Sequence, residues 1–102
     1  MRKALICQQG IPAGYLTETE RGYEFQYLAD YVGSAISLTM PVTAEHYIFD
    51  DFPPFFDGLL PEGYQLESLL RRLKIDRTDS FSQLIAVGAD LVGSVTVEEV
   101  AE

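Results

Sequence analysis

At 102 residues the chain has room for one domain, residues 1–102, and no room for two independent cores. A domain of this size buries roughly 65% of the surface its unfolded chain exposes, and the 47% hydrophobic content, with 12% aromatic residues and no tryptophan, is enough to build such a core. Sixteen acidic residues against seven basic ones leave a net charge of −9, which repels phosphate backbones and anionic membrane surfaces alike and argues against direct nucleic-acid or membrane binding.

The first half of the chain reads as short strands. "KALICQQ" (3–9) is followed by a turn at Gly10, then "AGYLTET" (13–19), a second turn at Glu20-Arg21-Gly22, and "YEFQYL" (23–28). In the third of these, Tyr23, Phe25 and Tyr27 fall on one face and Glu24 and Gln26 on the other, the period of a half-buried strand. "ADYVG" (29–33) suggests a helical turn, and "AISLTMPV" (35–42) a fourth strand ended by Pro41.

After residue 50 the period changes. Phe52, Phe55, Phe56, Leu59 and Leu60 occupy i, i+3, i+4, i+7 and i+8, one stripe of a short helix with Asp51 as its cap, Pro53 and Pro54 in its first turn and Pro61 as its stop. A second helix is expected from about Tyr64 to Leu73, with Leu66, Leu69, Leu70 and Leu73 facing inward and Glu67 set to pair with Arg71. Its polar face carries Arg71, Arg72 and Lys74. A third begins at "TDSFSQLIAVG", capped by Thr78 or Asp79, with Phe81, Leu84 and Ile85 inward and Gly88 at its end. "GSVTVEEV" (93–100) alternates as a final strand. The expected fold is α+β: a small antiparallel sheet, a meander plus a C-terminal strand, packed with two or three short helices.

Chemistry is hard to find in this order of residues. No glycine-rich phosphate loop is present, and His46 and the single Cys7 lie too far apart in sequence to suggest a dyad or a zinc site. Glu45, His46, Asp50 and Asp51 could gather around a cation, but without a glycine turn they read as a solvated acidic loop. The sequence thus offers no catalytic residues, no cofactor and no metal site. Cys7, unable to form an intrachain disulfide, is expected as a small core residue. The apolar run Ala4 to Cys7 is too short for a signal-peptide core, and no apolar stretch is long enough to span a membrane, so a cytoplasmic protein is expected.

The densest stretch is "FPPFFDGLLPEG" (52–63). Its phenylalanines and Leu59 are mostly core material, whereas the rigid turn that follows can display a polar-tipped aromatic. Leu60, Pro61, Glu62, Gly63 and Tyr64 are therefore the candidate partner-binding residues.

"AGYL", "YEFQY", "ISLTMPV", "FPPFFDGLLPEG" and "DSFSQLIAVGADLVGSVTV", in this order, resemble the N-terminal subdomain of HipA-like serine/threonine kinases, with "FFxxLLPEG" and "GxDxVGxVTV" the most specific pieces. The ATP-binding loop, catalytic aspartate and metal ligands of such kinases have no counterpart in this sequence. A free-standing subdomain of this kind is similar to HipS, the small member of three-component HipB, HipS and HipT systems. That resemblance implies a non-catalytic antitoxin that binds and inhibits a HipT-like kinase whose targets are aminoacyl-tRNA synthetases, with a HipB-like helix-turn-helix protein as a further partner. It also implies that the turn at Pro61 to Tyr64 faces the kinase. The alternative is a structural subunit that completes the kinase N-terminal lobe without inhibiting it.

Overall fold

A computed structural model describes residues 1–43, 46–91 and 94–100. Five strands, β1 (Lys3–Gln8), β2 (Ile11–Glu18), β3 (Tyr23–Tyr27), β4 (Tyr47–Phe49) and β5 (Val95–Val100), form one antiparallel sheet in the order β4-β3-β2-β1-β5. Three helices, α1 (Pro54–Asp57), α2 (Gly63–Leu73) and α3 (Ser80–Val87), complete the expected α+β fold.

The meander follows from its turns. Gln8 pairs with Ile11, so Gln9 and Gly10 are a two-residue loop, and both have positive φ, 52° and 80°. That backbone twist matches the twist of the flanking strands, and glycine takes it without a steric penalty. A one-residue register shift, with Ile6 opposite Gly14 and Cys7 opposite Pro12, leaves Ala13 as the extra residue on β2, so that Ala13 and Leu16, three residues apart, both face inward. Cys7, next to the inward Ile6 on β1, points to the other face and is half-buried, not the core residue expected of it.

Ala4, Ile6, Ala13, Leu16, Phe25, Tyr27, Val95 and Val97 present one face of the sheet to Phe56, Phe81 and Leu84 of the helices, and these side chains share one core with Tyr31, Ile36 and Met40. Aromatic rings link its parts edge to face: Tyr23 to Phe52 at 5.2 Å, Phe25 to Tyr27 at 4.9 Å and Phe55 to Phe56 at 5.1 Å between centroids.

Two expectations fail between residues 28 and 49. The stretch 35–42 is not a strand: it folds into a tight turn in which Ser37 bridges Met40 and Leu38 is fully exposed at the tip. The Ser37 hydroxyl takes the Thr39 backbone N–H at 3.2 Å, a local bond that competes with strand pairing. The buried Tyr27 hydroxyl then holds both arms, accepting the Ile36 N–H at 3.0 Å and donating to the Met40 carbonyl at 2.6 Å. The sheet position beside β3 is filled instead by Tyr47–Phe49, within a stretch expected as an acidic loop, where an aromatic and β-branched triplet suits an edge strand.

The phenylalanine stripe is helical for one turn only. Pro53 caps α1 in place of Asp51, at φ −59° and ψ 133°, and past Asp57 the chain tightens, with the Leu59 and Leu60 N–H groups bonding three residues back to Phe56 and Asp57. Phe56 is completely buried, and Phe52, Phe55, Leu59 and Leu60 pack around it as partly buried neighbours. Helix α3 begins as expected at Asp79, whose carboxylate accepts the Ser82 N–H at 3.1 Å, and reaches its C-cap at Gly88. Val92 and Gly93, part of the "GxDxVGxVTV" motif, lie outside the described residues, as do Ala101 and Glu102.

Candidate partner-binding site

The turn between α1 and α2 places the five candidate residues at one corner of the molecule. Leu60 and Pro61 are half-buried, with Leu60 packed against the core, while Glu62 and Gly63 are exposed. Gly63 opens α2 with φ +58°, a left-handed conformation that a side chain would strain even though the space around it is open. Directly after it stands Tyr64, 94% exposed, with no hydrogen bond or ring contact to any described residue. A tyrosine held on a rigid, proline-led turn loses little entropy when it is covered, which is why such residues anchor interfaces.

Two depressions flank the turn. One, about 400 Å³, is walled by Leu59, Leu60, Pro61, Gln65 and Leu91; the other, about 520 Å³, runs along α2 beside Tyr64, Glu67, Ser68, Arg71 and Arg72. Leu69 and Leu70 hold α2 on the body of the protein and Leu66 is half-buried, but Leu73, expected to face inward, is 47% exposed. The helix there ends on Lys74 in a left-handed conformation whose N–H bonds back to Leu70. The predicted Glu67–Arg71 pair is not made: Glu67 instead accepts from Arg77 at 2.5 Å, beyond the end of the helix.

The opposite corner holds a polar cluster that sequence spacing did not show. Arg2 spans the Glu18 carboxylate, at 3.0 Å from Nε and 2.7 Å from Nη2, and also donates to Asp79 and to the Ser82 hydroxyl. Its hydrogen bonds to Glu18, above all, raise the guanidinium pKa, and the same bond leads in holding the Glu18 carboxyl below the usual carboxylate range. At Asp79, burial opposes ionisation, yet hydrogen bonds from Arg2 and Ser82 outweigh it and the pKa falls. The guanidinium also lies 4.9 Å from the Phe81 ring centroid. The buried Gln83, equally unforeseen, donates to the carbonyls of Asp76 and Arg77 and anchors the loop between α2 and α3.

Of the residues considered for a cation, Glu45 lies outside the described residues, His46 contacts Glu24, and Asp50 and Asp51 are exposed. No group of three potential metal ligands occurs among the described residues. Cys7 pairs across β1 with Pro12 and Thr96, whereas His46 precedes β4 at the far edge of the sheet, so the two are not brought together. Among the described residues no helix is long and apolar enough to cross a membrane.

A solved structure of the N-terminal domain of HipA toxin matches with a TM-score of 0.79 at 27% sequence identity, covering 100% of this chain and 95% of that one. An uncharacterized protein of Haemophilus influenzae is 34% identical over 99 residues, 97% of this chain and 93% of that protein. Residues 4–98 match the family model for the HipA N-terminal domain. With the meander from Ala4 onward, the α1–α2 turn and the first four residues of the closing strand inside the matched span, the chain belongs to the HipA N-terminal domain family.

Proposed function

We propose that this chain is a non-catalytic antitoxin that binds and inhibits a HipT-like serine/threonine kinase. The observation that carries the reading is the match of residues 4–98 to the HipA N-terminal domain, which supports a place in a HipA- or HipT-type system. The relative from Haemophilus influenzae is matched over 93% of its own length. In this reading Leu60, Pro61, Glu62, Gly63 and Tyr64 form the contact, with Tyr64 as its anchor, and its 94% exposure supports that role. A HipB-like helix-turn-helix protein completes the complex.

The test is capture of the kinase by the tagged protein in the native host, followed by kinase assays with and without the protein. Loss of activity in the captured kinase supports the antitoxin. A captured kinase that remains fully active would instead mark a subunit that completes the kinase lobe, and absence of any kinase would remove both readings.

A further inference from the structure

We propose that the outward face of α2 is a docking surface for a carboxylate-rich segment of the partner protein. The proposal deepens the reading above and rests on it for the partner's identity, but its chemistry comes from where the cations of this chain are placed.

Only seven lysines and arginines stand against sixteen acidic residues, so a cation here has carboxylates to choose from. Arg2 is bound by Glu18 and Asp79, Lys3 lies 4.2 Å from the Tyr15 ring centroid, and Arg77 is bound by Glu67. Four cations are exposed with no acidic partner among the described residues: Arg21, in the turn between β2 and β3, and Arg71, Arg72 and Lys74. The carboxylate placed to neutralise Arg71, that of Glu67, is turned away to Arg77. Three of these four cations therefore gather at one end of one helix, on a protein of net charge −9.

Cations near a helix C-terminus gain from its dipole, which accounts for any one of the three. It does not account for Tyr64 and Ser68 on the same stripe, at i and i+4 with Arg71 at i+7 and Arg72 at i+8, opposite the leucines that hold the helix down. The depression of about 520 Å³ along that stripe, which Glu67 also lines with its carboxylate held by Arg77, gives a segment somewhere to lie. Two guanidinium forks beside an exposed tyrosine suit carboxylates, which they can bind with two parallel hydrogen bonds. A nucleic acid is the poorer fit, since a long polyanion would meet the acidic remainder of the surface, whereas a short acidic segment feels mainly the charges within a Debye length of about 8 Å.

The test is an amide NMR titration of the protein with a glutamate-rich peptide, a glycine/serine peptide of equal length and a single-stranded oligonucleotide of equal charge. The glutamate peptide should shift amides between Tyr64 and Lys74, with affinity falling at least about tenfold in the Arg71→Glu/Arg72→Glu protein and largely kept in Arg71→Lys/Arg72→Lys. No shifts, shifts centred elsewhere, or tighter binding of the oligonucleotide would overturn the proposal. A second arm measures capture of the kinase by the charge-reversed protein, and undiminished capture also overturns it. If the parent protein captures no kinase, the proposed function fails on its own, and the α2 surface is judged by the titration alone.

Discussion

Arg2 holds Glu18 through two parallel bonds, 3.0 Å from Nε to Oε1 and 2.7 Å from Nη2 to Oε2, and this pair ties the start of β1 to the end of β2. Both side chains are about a third exposed, so solvent screens much of the attraction. Arg2→Ala should lower unfolding free energy by about 1–2 kcal/mol, measured by urea denaturation at neutral pH.

Acid should remove that stabilisation. The Glu18 and Asp79 carboxyls titrate below their ordinary values of 4.5 and 3.8 in the folded protein, so their contribution is complete above those values. It is then lost as the pH falls through the folded values. The difference in urea midpoint between the parent and Arg2→Ala should therefore be constant from pH 7 to about pH 5 and shrink below about pH 4. A difference that persists unchanged at pH 3 would count against the pairing.

Tyr27→Phe removes one oxygen and leaves two buried groups, the Ile36 N–H and the Met40 carbonyl, without their partner. The expected loss is about 2 kcal/mol, with amide exchange accelerating in the segment 28–43 more than in the sheet.

Gly88→Ala should be the most damaging small substitution. An added Cβ would sit 2.0 Å from the Val97 carbonyl oxygen, and neither backbone can move without breaking the bond from the Val97 N–H to the Gly88 carbonyl at 3.0 Å. A loss of about 3 kcal/mol is expected in thermal or chemical denaturation. Gly58→Ala, where the same Cβ meets atoms no closer than 3.5 Å, should lie within about 1 kcal/mol of the parent.

Tyr64→Ala separates binding from folding. The side chain touches no hydrogen-bond or ring partner among the described residues, so unfolding free energy should stay within about 0.5 kcal/mol of the parent. Capture of the kinase should weaken by about thirtyfold or more, the scale of an interface anchor. Equal capture by parent and variant would leave Tyr64 without the role given to it.

The strands of the meander and helix α3 could be read from the chain because their signals are local: alternation in "YEFQY", a tight turn at Gly10, and a cap at Asp79. The misassigned stretch 35–42 shows the limit of that reading. Ile36, Leu38 and Met40 alternate as strand residues do, but a place beside β3 was available to one segment only, and Tyr47–Phe49 took it. The triplet "YIF" has strand-forming residues, but three of them are too few to announce a strand against the longer alternation of 35–42. The proline-led turn of the candidate site was legible for a similar reason to the meander, since Pro61 and Gly63 constrain the backbone whatever surrounds them. The unpaired state of Arg71 was not, because it depends on Arg77 reaching Glu67 across a loop.

The position of β1 also sets an order of events during synthesis. Both neighbours of this strand must be in place for it to be fully paired: β2 follows at once, but β5 pairs Lys3 with Val100 and Gln8 with Val95. Arg2 likewise waits for Asp79, 77 residues on. On the ribosome β1 keeps one edge open until β5 has left the exit tunnel, so the domain cannot close progressively from β1 onward. Contacts of such long sequence separation place folding toward milliseconds to seconds rather than microseconds. A nascent chain stalled before Val95 would expose the β1 edge to pairing with other chains, and a binding partner can meet the finished protein only after translation has passed that strand.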